Sequence, residues 1–351
     1  MRNLNTRSFL NLIAWCLIFF LSAGVYAEEK VSELIGAGAS FPYPLYSKWF
    51  EKYANEKGIK VNYQSIGSGG GIRQLMNKTV DFGATDAFLD DEEKKQFEGE
   101  VLHIPTALGG VAVVYNLPVS EHINLAPDVL SDIMLGVIAS WNDPRIKALN
   151  PESQLANQKI VIVHRSDGSG TTFIFTDYLS KVSHQWKEKV GAGKSVNWPI
   201  GIGGKGNEGV AGMVKQMPGS IGYVEVIYAE KNNLRYAKIK NKAGAFVSPT
   251  LKSVSESANI ALPDDLRVSL TNTDSPEGYP ISGLTWLLVY KEQSIGKRSI
   301  EKSRAVKELL TWCITTGQQY NQALLYAPLP EAAVKKAMKL INSMTYDSKP
   351  L

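Results

Sequence analysis

Ser40, Ser68 and Ser169 each stand in a run of glycines and small residues that leads toward a segment with helical spacing. The runs are Gly36-Ala37-Gly38-Ala39-Ser40-Phe41-Pro42, Gly67-Ser68-Gly69-Gly70-Gly71 and Asp167-Gly168-Ser169-Gly170-Thr171-Thr172. Each places a hydroxyl and unpaired backbone N–H groups at the positive end of a helix, the donor set that a tetrahedral oxyanion needs. One such segment alone reads as capping chemistry, with Ser40 close to an N-cap position. Three in one chain point to an anion site. Arg165 follows the apolar run Ile160-Val161-Ile162-Val163 and precedes Asp167 by two residues. It offers a planar, bidentate fork to oxyanion edges. A salt bridge to Asp167 is the plainer reading, and the two are compatible because a carboxylate orients the guanidinium and offsets its burial. Asp86 closes the small or apolar run Asp81-Phe82-Gly83-Ala84-Thr85-Asp86, and by itself it reads as a turn residue at a strand end.

Other constellations carry less. Gly201-Ile202-Gly203-Gly204-Lys205-Gly206 fits the dinucleotide fingerprint, with Glu225 downstream where a ribose-binding acid would stand. Trp198-Pro199 replaces the long apolar strand that the fingerprint requires, and Lys205 lacks the Ser or Thr of a P-loop. The segment reads as a tight turn before a helix near Glu208, with no ligand role assigned. Ser169 lacks the Gly two residues upstream that a nucleophile elbow demands, and the four His, at 103, 122, 164 and 184, form no metal-ligand pattern. No enzyme chemistry, metal or cofactor is expected.

The elements that must position these residues alternate as in α/β proteins. Strands are expected at 61–66, 81–86, 101–117, 159–165, 220–226 and 284–290, and helices at 44–57, 71–77, 127–140, 171–182, 208–216, 300–316 and 330–344. A chain of 351 residues exceeds the roughly 250 to 300 at which one core stops growing, so two lobes are expected. The apolar strands at 101–117 and 284–290 are the candidate crossings between them. Residues 1–27 read as a cleaved signal peptide: Arg2 and Arg7, an apolar run from Phe9 to Leu21, then Val25-Tyr26-Ala27. A membrane anchor is the rival, since the run approaches the roughly 20 residues of a span. Cys16 follows Trp15 within the apolar run, which does not fit lipidation. Export leaves Cys313 alone, so no intrachain disulfide is expected, and its helical setting reads as a buried thiol. The 38 Lys and Arg against 34 Asp and Glu become 36 against 34 without Arg2 and Arg7, which excludes the polybasic footprint of a nucleic-acid binder.

The chain resembles the periplasmic phosphate-binding protein of the phosphate ABC importer over nearly all the mature length. The likeness runs through the Gly36–Pro42 segment, Val61-Asn62-Tyr63-Gln64 to Gly71, Thr79 to Asp86, Arg165 to Phe173, Trp198 to Gly209 and Ile221-Gly222-Tyr223-Val224-Glu225. It implies a two-lobed α/β binding protein of class II, with mixed sheets flanked by helices and a ligand cleft at a two-strand hinge. Residues 28–112 with 284–351 form lobe I, and 113–283 form lobe II. The family pattern puts ligand hydroxyls at Ser40, Ser68, Ser169 and Thr171, backbone donors at Phe41 and Gly170, the cationic fork at Arg165 and a proton acceptor at Asp86. Asp167 matches the position that pairs with the arginine. Ser40 stands where relatives often have Thr, and Gly69 where some have a second Ser. Residues 118–125 and 253–278 match less closely. The resemblance implies a periplasmic monomer that gives inorganic phosphate to membrane permease subunits, and the setting of Cys16 argues that it is not a lipoprotein. A receptor for another oxyanion such as sulfate or molybdate is the alternative.

Overall fold

The computed structural model describes residues 31–119 and 121–351; the signal peptide expected at 1–27, with Cys16, lies outside them. Nine strands form one mixed sheet: β1 (Glu33–Gly38), β2 (Lys60–Ser65), β3 (Phe82–Thr85), β4 (Val101–Tyr115), β5 (Val161–Arg165), β6 (Ile202–Gly204), β7 (Ser220–Glu225), β8 (Arg235–Tyr236) and β9 (Ser282–Tyr290). Their order is β2-β1-β3-β9-β4-β7-β5-β6, with β8 also paired to β4. The α/β class and the helix-flanked mixed sheet agree with expectation. The sheet is continuous where separate sheets were expected, because β4 is shared.

Strand β4 explains this continuity. All fifteen of its residues are buried, as its nearly unbroken apolar sequence requires of a strand covered on both faces. Val101 to Gly110 pair antiparallel with β9, and Val111 to Tyr115 pair with β7. The change of partner falls between Gly110, opposite Ser282, and Val111, opposite Glu225.

The helices that matter for the site start at the C-terminal ends of parallel strands or beside them. Helix α1 (Tyr43–Lys57) follows β1 and buries Leu45, Tyr46, Trp49, Phe50 and Tyr53 along one stripe. Helix α2 (Ser68–Met76) follows β2 and begins three residues before the expected start. Glycines 69 to 71 have low helix propensity, but the fold holds them against β1 and β3 and overrides it. Helix α3 (Gly170–Val182) follows β5, and α4 (Gly206–Gln216) follows β6. Helices α5 (Ile300–Ile314) and α6 (Glu331–Asn342) come after β9. The helix expected at 127–140 stops at Met134, where Leu135 leads into Gly136 at φ 77°. Cys313 is buried in α5, as expected. No described helix is long and apolar enough to cross a membrane.

Candidate oxyanion-binding site

Strand β1 ends in a turn whose consecutive carbonyls are each held by a phenol. Tyr63, Tyr228 and Tyr326 donate their hydroxyls to the consecutive carbonyls of Ala39, Ser40 and Phe41, at 2.7, 2.6 and 2.6 Å. Burial raises all three phenols well above their usual range, so they stay protonated and keep donating. Ser40 is not the N-cap of α1. Pro42 takes that place, without a side-chain cap, and Ser40 lies two residues upstream. Its Oγ instead accepts from the backbone N of Asn207 at 3.1 Å and from Asn207 Nδ2 at 3.0 Å.

The N-termini of α2 and α3 meet head to head. Gly170 N donates to Ser68 Oγ at 3.0 Å, Asp86 N donates to the same oxygen at 3.3 Å, and Gly69 N donates to the Gly168 carbonyl at 2.9 Å. The approach leaves no space for side chains. A Cβ on Gly170 would stand 2.6 Å from Asp86 Oδ2, and one on Gly67, whose φ is +82°, would stand 2.3 Å from Asp167 Oδ2.

Asp86 lies just past the end of β3, the strand-end place that its local sequence implied, and is buried there, only 1% exposed. Burial pushes its carboxyl up to about 7, against the pull of a 2.8 Å hydrogen bond from Thr285 and the charge of Arg165. Such a group sits at the balance point between accepting and holding a proton.

Arg165 ends β5 and is 4% exposed. Its Nε and Nη2 grip Asp167 Oδ1 and Oδ2 at 2.8 and 2.5 Å, while Nη1 reaches Thr171 Oγ1 at 3.4 Å. The salt bridge that the Arg-x-Asp spacing suggested is present and takes up Nε and Nη2, so the bidentate edge lies on Asp167 and Nη1 is the nitrogen turned toward Thr171. Burial raises the Asp167 carboxyl, but the hydrogen bonds and charge of Arg165, with a 3.1 Å bond from Gly206 N, bring it below its usual value. Ser169 caps α3, its Oγ accepting from Thr172 N at 3.0 Å. That bond leaves the hydroxyl proton of Ser169 free to donate.

The structure thus gathers Ser40, Phe41, Ser68, Asp86, Arg165, Asp167, Ser169, Gly170 and Thr171 around the facing ends of four helices. The backbone N–H of Gly170, expected as a ligand donor, is engaged with Ser68. Sequence reasoning missed Asn207, Thr285 and the three tyrosines. Of these only Asn207 left a signal, since it follows a Gly-rich run at a helix start, as the other segments do.

A family model described as a PBP superfamily domain matches residues 24–316. The chain is 46% identical over 325 residues to the phosphate-binding protein PstS of Pasteurella multocida, covering 91% of this chain and 93% of the relative. It is 40% identical over 343 residues to the phosphate-binding protein PstS of Methanocaldococcus jannaschii, covering 90% and 87%. The chain belongs to the phosphate-binding protein family of the PBP superfamily. Solved structures share the fold at lower identity. A high-affinity periplasmic phosphate-binding protein, solved with phosphate, superposes with a TM-score of 0.70 at 21% identity, covering 88% of this chain and 93% of its own. A putative phosphate ABC transporter substrate-binding protein from Clostridium perfringens, also with bound phosphate, gives 0.63 at 17%, covering 85% and 100%. The class II, two-lobed architecture follows from this membership.

Proposed function

We propose that this chain is an extracytoplasmic receptor that closes around inorganic phosphate and delivers it to the permease of an ABC-type importer, without chemistry on the ligand. The observation that carries the reading is one buried cluster of donors with a carboxylate beside it. Asn207 links the hydroxyls of Ser40 and Thr171, Arg165 Nη1 reaches Thr171, and the N–H groups of Gly170 and Asp86 meet on Ser68 Oγ, with the Asp86 carboxyl itself buried. Phosphate at neutral pH still carries a proton to offer a carboxylate. Sulfate carries none, so it would meet Asp86 with repulsion in a dry cleft.

In this reading Ser40, Phe41, Ser68, Asp86, Arg165, Ser169, Gly170 and Thr171 hold the ligand, the Gly170 N–H shared between Ser68 Oγ and the anion, and Asp167 supports Arg165. Residues 28–112 with 284–351 form one lobe and 113–283 the other; the partner change in β4 at Gly110 and Val111 supports a hinge there. Closure replaces the hydration shell of the anion by fixed donors. Charge-assisted hydrogen bonds contribute roughly 1.5 to 3 kcal/mol each, so a handful exceed the roughly 8 kcal/mol of micromolar binding.

Calorimetric titration tests this. Phosphate is expected to bind at about micromolar dissociation constant or tighter, and sulfate at least about 100-fold more weakly. At about 100 times the dissociation constant, phosphate should stabilise the fold by roughly 2.7 kcal/mol. No rise in melting temperature with millimolar phosphate would overturn the reading, and turnover of a chromogenic phosphate ester would replace it with an enzyme.

A further inference from the structure

Asn207, in the first turn of α4, is fully buried and has all three of its N–H protons and its amide oxygen engaged in hydrogen bonds. Its Oδ1 accepts from the backbone N of Glu225 at 2.9 Å, which fixes the orientation of the amide and makes Nδ2 the group that faces the site. The two Nδ2 protons go to Ser40 Oγ at 3.0 Å and Thr171 Oγ1 at 3.1 Å, and the backbone N–H goes to Ser40 Oγ as well, at 3.1 Å. A hydroxyl has one proton to give and two lone pairs to fill. The pairs of Ser40 are both filled by Asn207. Those of Thr171 are filled by Asn207 and by Arg165 Nη1. Among the described residues neither hydroxyl proton has an acceptor. Ser68 follows the same rule, its Oγ taking N–H groups from Gly170 and Asp86.

We infer that Asn207 is a specificity-determining positioning residue, which commits the hydroxyls of Ser40 and Thr171 to donate and so gives the cleft donors for every anion oxygen except the one facing Asp86. The inference rests on the phosphate-receptor reading and deepens it. A free serine hydroxyl is ambivalent and can turn a lone pair toward an anion. A serine whose lone pairs are occupied presents only its proton. The donors that occupy Ser40 come from a residue 167 positions away, on the other side of the Gly110–Val111 partner change. The polarity of Ser40 is therefore set only when the two halves come together, which couples closure to donor strength. Asn207 need not touch the ligand to do this.

The test is a set of phosphate titrations on wild type, Asn207→Ala, Asn207→Asp, and Asn207→Ala in a Ser40→Ala/Thr171→Val background. Asn207→Ala should weaken phosphate by about 10-fold in the wild-type background and by less than about 3-fold where the two hydroxyls are already gone. A merely structural asparagine would cost the same in both backgrounds, and that outcome overturns the inference. Asn207→Asp keeps the size and the acceptor for Glu225 N–H, so it guards against a folding defect in the alanine variant. Its carboxylate accepts from both hydroxyls and turns their protons away, and it should lose at least as much affinity as Asn207→Ala. Wild-type phosphate affinity in Asn207→Asp also overturns the inference. If wild type itself fails to bind phosphate, the receptor reading is the one that falls.

Discussion

The two halves of the site use opposite electrostatics. On the side of β1, β2 and β3, the groups are Ser40, Phe41, Ser68 and Asp86, and the one charge is a carboxylate raised to about 7 by burial. On the side of β5 and β6, the groups are Arg165, Asp167, Ser169, Gly170, Thr171 and Asn207, and the carboxylate there is gripped by two guanidinium nitrogens and held below its usual range. The same residue type, aspartate, is thus poised between its two protonation states near neutral pH in one half and kept ionised in the other. The difference separates two tasks. In the proposed reading, the half with the guanidinium supplies attraction for any oxyanion, and the half whose carboxylate has no salt-bridge partner judges whether the anion brings a proton.

Breaking the attractive half should have the largest effect. Arg165→Ala removes the fork and leaves Asp167, whose side chain is 14% exposed, unpaired beside the anion. Losing one or two charge-assisted hydrogen bonds at about 1.5 to 3 kcal/mol each should lower phosphate affinity on the order of 10² to 10³-fold by calorimetry. Affinity unchanged in Arg165→Ala would dissolve the contrast between the halves.

Breaking the judging half should alter choice more than strength. Asp86→Asn gives sulfate an N–H donor and removes the repelling charge, while the amide oxygen still accepts from phosphate. The phosphate-to-sulfate ratio should drop by on the order of 10²-fold in competition titrations. A ratio equal to wild type would mean that Asp86 does not discriminate.

How legible each half was in the sequence follows the same division. Arg165 and Asp167 are two residues apart on a strand end, so their pairing is a local fact that spacing reveals. Ser169 caps its own helix, as local rules require. Asn207 acts on partners 167 and 36 positions away, and Thr285 reaches Asp86 over 199; no local pattern encodes such meetings. Strand β1 escaped because Gly36 and Gly38 weaken strand propensity, and it exists through parallel pairing with β2 on one side and β3 on the other. Ser40 looked like a cap because prolines followed it, yet those prolines moved the helix start beyond its reach.

The contact between the halves can be sharpened without touching a polar side chain. Gly170→Ala would put its Cβ about as close to the Asp86 backbone N as to its carboxylate, 2.6 Å in each case. Backbone cannot swing aside as a flexible side chain can, so the halves should be wedged apart. Overpacking of this kind costs about 1 to 3 kcal/mol, and phosphate should weaken by about 10-fold. Small-angle scattering should show the phosphate-induced compaction of wild type reduced or lost, whereas full compaction would mean that the glycine is not needed for closure.

The smallest effect concerns stability, and it reads the two aspartates against each other. Asp86 is raised from 3.8 to about 7 by burial. Between those values the folded protein binds a proton that the unfolded chain does not, so this group's contribution is full below the unfolded value and is lost as pH rises toward 7. Asp167 is shifted down, so its contribution is full above the unfolded value and is lost only as pH falls below it. Other buried groups overlap the window: His103, lowered from 6.5 to about 3 by burial, withdraws stability as pH falls through 6.5, and Glu225, raised by burial, acts in the same sense as Asp86. Subtraction removes them, since both are present in either variant. Without phosphate, the melting temperature of wild type minus that of Asp86→Asn should grow by about 2 to 4 °C between pH 8 and pH 5. The same difference taken with Asp167→Asn should stay flat, because that carboxylate is ionised throughout both ends of the range. Equal slopes for the two aspartates would remove the electrostatic asymmetry on which the division between attraction and discrimination depends.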